Sequence, residues 1–104
     1  MKKQRISNGM NTFHVSEVQI IPISPKEGLV AFASCVVNNA LFLGSIAIYT
    51  SLSRPEGFRL VYPSKQLPNG KEINIFYPIN KSTGNLISRA IIEKFQEIIS
   101  KTIK

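Results

Sequence analysis

The sequence predicts an α+β fold: a five-stranded antiparallel sheet followed by a C-terminal helix, assembled as a homodimer. Three observations predict it. Between residues 13 and 79, short apolar runs alternate with turn-forming clusters of Pro, Gly and Asn. After residue 81 the apolar period changes from two residues to about 3.6. The apolar side chains exceed what one helix on one sheet face can cover, which predicts that a second copy covers the remainder.

The chain divides into an arm and one domain. Residues 1–12 are polar and carry three cations without an acid, which predicts a flexible basic arm. Residues 13–104 are long enough for a single domain.

The first strand is expected over residues 13–23. Its broken alternation and Pro22 indicate a bulged strand at the edge of the sheet.

The next two strands form a predicted hairpin. Apolar runs over residues 29–37 and 40–50 flank Asn38 and Asn39, and Asn tolerates the positive φ that a tight turn demands. Both alternating phases of the first run are mostly apolar. We therefore expect both faces of this hairpin to be covered.

Two further strands and the helix complete the fold. The turn at 54–57 precedes a fourth strand over 58–62, and the turn at 68–70 precedes a fifth. The fifth strand places three apolar side chains on one face: Ile73, Ile75 and Tyr77. Ser82 or Thr83 is the expected cap of a helix that runs to the C-terminus. Its predicted core stripe is Ile87, Ile91, Phe95 and Ile98, flanked by Ile92, Ile99 and Ile103.

The composition argues against catalysis. The chain has no Asp, a single histidine (His14) and a single cysteine (Cys35), so a zinc site or a Ser-His-acid triad lacks partners. Cys35 lies in an apolar run and is expected to be an inert buried thiol, whereas His14 is expected to be solvated. We therefore predict no enzyme activity, no cofactor, no metal and no small-molecule substrate. Without an apolar leader or a membrane span, the expected location is the cytoplasm, away from membranes.

Two segments carry a family resemblance. Residues 62–70 read Tyr-Pro-Ser-Lys-Gln-Leu-Pro-Asn-Gly, and residues 73–80 read Ile-Asn-Ile-Phe-Tyr-Pro-Ile-Asn. With Ser82 and Thr83, they resemble the signature of the SpoVG septation-protein family, in which Met-Pro-Ser-Lys-Arg-Thr-x-x-Gly precedes Asp-Ile-x-His-Pro-Ile-Asn and a C-terminal helix. The resemblance extends from about residue 13 to the end of the helix. It implies a small dimeric bacterial protein that binds DNA and RNA and regulates gene expression, without catalysis.

The departures from the family pattern fall on charges. Gln66, Gly84 and Ala47 stand where the family has or often has a basic residue, and Tyr77 replaces a histidine. These substitutions support a rival reading, a dimeric protein-interaction module that has lost nucleic-acid affinity.

The basic residues are the candidate binding site. Thirteen Lys or Arg against six Glu give a formal net charge of +7 at pH 7, which suits an anionic partner such as DNA or RNA. The predicted phosphate contacts are Arg54, Arg59, Lys65, Lys71, Lys81 and Arg89, with Lys65 the first choice because it matches the family loop. The same cations, taken singly, are equally typical of a solvated surface. Clustering on one face would distinguish the two interpretations.

Overall fold

The computed structural model describes residues 13–102. The basic arm predicted over residues 1–12 lies outside the described residues, as does Ile103. Six strands and one helix follow one another along the chain: β1 (Val15–Lys26), β2 (Leu29–Val37), β3 (Leu41–Thr50), β4 (Phe58–Val61), β5 (Ser64–Gln66), β6 (Glu72–Asn74) and α1 (Lys81–Thr102). The α+β class and the C-terminal helix are confirmed. Within residues 13–102, no helix has the length and apolar character needed to cross a membrane.

The predicted five-stranded sheet is wrong by one strand. The main sheet contains four antiparallel strands in the order β1-β2-β3-β4, and β5 and β6 form a separate two-stranded hairpin. Pro63 lies between β4 and β5 and has no N–H to continue a ladder. The carbonyl oxygen of Pro63 instead accepts a hydrogen bond from the Ile75 amide at 3.0 Å. The fifth segment therefore closes on its own hairpin rather than on the sheet.

The predicted irregularities of the sheet are confirmed. Strand β1 is an edge strand, and its pairing with β2 shifts register between Ser16 and Gln19. Asn38 and Asn39 have φ angles of 53° and 52°, the left-handed conformation that the tight turn between β2 and β3 requires.

The core lies between the sheet and α1. Alternate residues of β2 face the helix and are buried: Ala31, Ala33, Cys35 and Val37. Three members of the predicted helix stripe, Ile87, Ile91 and Phe95, pack against them. Phe95 meets Phe58 edge to face, with ring centroids 5.0 Å apart. Ile92 is also buried, and Ile99 packs against this core.

The other side of the main sheet is uncovered. Strand pairing places Ile21, Phe32, Ala47 and Val61 in one row across all four strands. Ile21 and Val61 are exposed, as is Phe42 from β3. We call this side, with these five residues, the open sheet face. Within the described chain α1 packs on one face of the β2–β3 hairpin, and covering of the other face by a second copy stays a prediction.

Candidate functional site

A polar groove runs between the β3–β4 loop, residues 51–57, and the N-terminal half of α1. It consists of two adjoining clefts of about 300 and 400 Å³ that share Arg54, Asn85 and Ser88. Arg89 lines the smaller cleft, and Lys81 lines the larger. Three of the six predicted phosphate contacts thus lie along one depression. We call it the basic groove, defined by Arg54, Lys81, Asn85, Ser88 and Arg89.

Backbone hydrogen bonds hold the loop that carries Arg54. The Gly57 amide donates to the Arg54 carbonyl at 3.0 Å, and the Ser51 amide donates to the Gly57 carbonyl at 2.8 Å. Gly57 has a φ of 86°, which a residue with a Cβ adopts at a cost. Gln96 of α1 donates its Nε2 to the Glu56 carbonyl at 3.4 Å. The loop is therefore fixed to the helix that forms the other wall.

The helix that forms this wall begins at Lys81, two or three residues earlier than a cap at Ser82 or Thr83 predicts. Its cap is Asn80, whose Oδ1 accepts the Thr83 amide at 2.8 Å and the Ser82 hydroxyl at 3.0 Å. The expected cap at Ser82 or Thr83 is therefore wrong, because Asn80 precedes both residues and satisfies the free amide of Thr83. The first turn contains no acid, so nothing there offsets the charge of Lys81.

No groove cation forms an ion pair with a carboxylate of the described residues. Among residues 13–102, the ion pair within 4.0 Å is Lys94 Nζ to Glu97 Oε1 at 3.7 Å, outside the groove. Glu56 and Glu93 line the smaller cleft with Arg54 and Arg89. The larger cleft, where Lys81 lies, has no acidic lining residue among those described. The Lys81 end is therefore the more attractive end for an anion.

The other three predicted contacts lie elsewhere. Lys65 is in β5 and Lys71 is in the turn of the same hairpin, where its amide donates to Asn69 Oδ1 at 3.0 Å. Arg59 lies beside the open sheet face with its guanidinium carbon 5.0 Å from the centre of the Tyr49 ring, a cation–π contact. The structure thus groups Arg54, Lys81 and Arg89 and separates them from Lys65, Lys71 and Arg59.

The side chains of two polar groove residues were not among the contacts predicted from the sequence, although the backbone amide of Asn85 was considered as a phosphate donor at the helix start. Asn85 and Ser88 follow Lys81 by four and seven residues, and this spacing places all three on one side of a helix. A search for polar residues at helical spacing from Lys81 would have found them. Their amide and hydroxyl groups can donate to phosphate oxygens or to the edges of bases.

The residues considered for other chemistry are dispersed. Cys35 is fully buried, and this burial raises the pKa of its thiol above its ordinary value. The backbone amide of His14 donates to Asn38 Oδ1 at 2.7 Å, and the His14 side chain is exposed. No group of three or more His, Cys, Asp or Glu residues that could hold a metal ion occurs within residues 13–102.

Comparison with known proteins places the chain in a family. The model of the SpoVG family matches residues 13–97, which is most of the sequence. A "Putative septation protein SpoVG" from Caldicellulosiruptor bescii is 29% identical over 86 residues, covering 83% of this chain and 94% of that protein. A protein of the same name from Clostridium perfringens is 25% identical over 85 residues, covering 82% and 91%. Because the family model spans both the sheet and the helix, the chain belongs to the SpoVG family.

Proposed function

We propose that this chain is a non-catalytic regulatory protein that binds DNA or RNA through the basic groove and acts as a homodimer. The observation that carries the proposal is the grouping of Arg54, Lys81 and Arg89 along one groove, without an ion pair to any described carboxylate. Unpaired cations on a shared surface can neutralise successive phosphates of one strand. The polar side chains of Asn85 and Ser88 add hydrogen-bond donors between the charges.

The first prediction concerns salt. Each phosphate contact should contribute about −0.7 to the slope of log affinity against log salt on a single strand, and about −0.9 on duplex DNA. Three groove contacts on one strand therefore predict a slope near −2. Fluorescence anisotropy with labelled mixed-sequence RNA, single-stranded DNA and duplex DNA over a NaCl series would measure it. Affinity that does not change with salt would contradict the proposal.

Two charge-reversal variants distinguish binding in the basic groove from a general effect of the net charge. Lys81→Glu should weaken binding at least tenfold, because it replaces a cation of the groove by an anion. The substitution should not harm folding, because an acid in the first turn of a helix interacts favourably with the helix dipole. Lys26→Glu at the exposed end of β1 changes the net charge equally and is the matched control. Equal losses in the two variants would show that binding depends on overall charge and not on the groove.

A second candidate function is a protein-interaction module without nucleic-acid affinity. The observation that favours it is Gly84, which lines the basic groove where the family motif often has a cation. Purification from nuclease-treated lysate distinguishes the candidates. A defined protein partner, together with no affinity for any of the three nucleic-acid probes, would support the module.

A further inference from the structure

The β5–β6 hairpin is an isolated element. Its strands pair with each other, with Lys65 opposite Ile73, and all six strand residues are exposed. Among the strands and helix that the structure describes, neither β5 nor β6 contacts any element but the other. A two-stranded hairpin is at best marginally stable in water without a surface to pack on. This hairpin therefore lacks the packing partner that would stabilise it.

An exposed apolar stripe begins in this hairpin and continues to the start of α1. Ile73, Ile75, Tyr77 and Ile79 are 47%, 59%, 55% and 86% exposed. Ile73 lies in β6, and the other three follow it at two-residue intervals in the segment that joins β6 to α1. Phe76 lies between Ile75 and Tyr77 in the sequence and is half-buried. Its ring meets that of Tyr62 edge to face, with the ring centroids 5.9 Å apart. We call these four exposed residues the apolar stripe.

An apolar cavity adjoins the stripe. It has a volume of about 200 Å³ and is lined mainly by apolar side chains, among them Leu41, Leu43, Phe76 and Ile87. Tyr77 belongs both to the stripe and to the cavity wall. A two-fold dimer requires one surface to complement itself, so that a protruding group on each copy meets a recess on the other. Protruding isoleucines beside an apolar recess meet this requirement.

We infer that a second copy of this chain covers the apolar stripe, each copy placing stripe isoleucines against the cavity of the other. This inference rests on the homodimer of the proposed function and identifies its contact surface. The exposed parts of the stripe and of Leu41 amount to roughly 600 Å² per copy, so their complete burial in both copies would remove about 1,200 Å² from water, the lower limit for a specific stable interface. The hairpin gains from the second copy the support that its own chain does not provide.

The location of the stripe favours it over the open sheet face. Ile79 lies two residues before Lys81, so contact through the stripe brings the Lys81 ends of two basic grooves to one junction. The open sheet face lies on the side of the sheet away from α1, and a dimer formed there would leave the two grooves far apart. Its cleft is also partly polar, with Gln19, Ser34 and Ser45 in the lining.

Two matched substitutions test the inference. Ile79→Glu changes the stripe, and Ile21→Glu changes the open sheet face at a residue that is 65% exposed. Sedimentation equilibrium of the full chain, without nucleic acid, measures the dimer dissociation constant. We expect Ile79→Glu to raise it about thirtyfold or more, the effect of losing an interface hot spot. Ile21→Glu should leave it unchanged. Circular dichroism confirms that both variants are folded.

Three outcomes overturn the inference: a wild-type chain that is monomeric, a variant Ile79→Glu that dimerises like the wild type, or a dissociation constant raised by Ile21→Glu. Hydrogen exchange gives a second readout. Protection of the Leu67 amide, which donates to the Lys71 carbonyl, should rise with protein concentration in parallel with dimer mass. Protection independent of concentration argues against the second copy. Anisotropy of the groove variants judges nucleic-acid binding separately, so failure of one proposal is not mistaken for failure of the other.

Discussion

Tyr62 contributes to two surfaces for which we propose a role, the basic groove and the apolar cavity. It follows β4, and its half-buried ring lines both the basic groove and the apolar cavity. Removal from water raises the pKa of its hydroxyl to about 12, and the nearby Cys35 adds to the shift. A raised pKa means that the folded protein holds this proton more tightly than the unfolded chain. The resulting stability is complete below the ordinary tyrosine pKa of 10.0 and is lost as the pH rises towards 12.

The substitution Tyr62→Phe should therefore make the loss of stability in alkali less steep, since Phe keeps the ring and has no proton to lose. Burial also raises the pKa of Cys35, so part of the alkaline loss should persist in this variant. Thermal unfolding midpoints measured in steps between pH 9 and 12 would show the change. Identical declines in the wild type and in Tyr62→Phe would contradict the burial argument.

At the scale of elements, the sequence predicts strands and helix well because each has its own period. Strand β2 has the predicted bounds, and α1 buries Ile87, Ile91 and Phe95 of the predicted stripe. The prediction of a fifth strand in the main sheet was wrong for a physical reason. Alternation of Ile73, Ile75 and Tyr77 predicts a strand but does not say which strand lies beside it. The structure places Ile73 in β6 of a separate hairpin, and Ile75 and Tyr77 follow that strand.

The candidate site is predictable to a similar extent. The types of its residues and their surface positions follow from charge and turn patterns. Their grouping does not, because Arg54 reaches α1 through a loop contact between Gln96 and Glu56 that leaves no periodic signal. The position of Arg59 outside the basic groove was predictable from alternation in β4. Arg59 shares the outward phase of this strand with Val61.

The start of α1 allows a direct test of its cap. Asn80→Ala removes the oxygen that accepts the Thr83 amide and should lower the free energy of unfolding by about 1 kcal/mol. Urea unfolding followed by circular dichroism would measure this. Asn85→Ala, one turn into the same helix and exposed, is the control and should be neutral or slightly stabilising, since Ala favours helix interiors. If both variants are equally stable, Asn80 is not the cap.

At the scale of the whole molecule, the net charge gives the two proposed associations opposite responses to salt. Two copies with a formal charge of +7 each repel one another, so added salt should tighten a dimer held by apolar contacts. The same salt should weaken nucleic-acid binding by displacing cation–phosphate contacts.

Sedimentation equilibrium and anisotropy over one NaCl series would record both responses in wild-type protein. The expected result is a dimer dissociation constant that falls while the nucleic-acid dissociation constant rises. A dimer that also weakens with salt would indicate contacts between opposite charges rather than the apolar stripe. Parallel measurements on Ile21→Glu, which alters the open sheet face, would show whether the response belongs to the stripe.

The enclosed position of Cys35 has a practical consequence. It is the single cysteine of the chain, and its side chain is fully inside the core between β2 and α1. An alkylating reagent reaches the sulfur when the core between β2 and α1 opens, and burial, which raises the pKa of the thiol, disfavours the reactive thiolate in the closed molecule. The rate of covalent labelling therefore reports how often the native chain opens, without any label engineered into it.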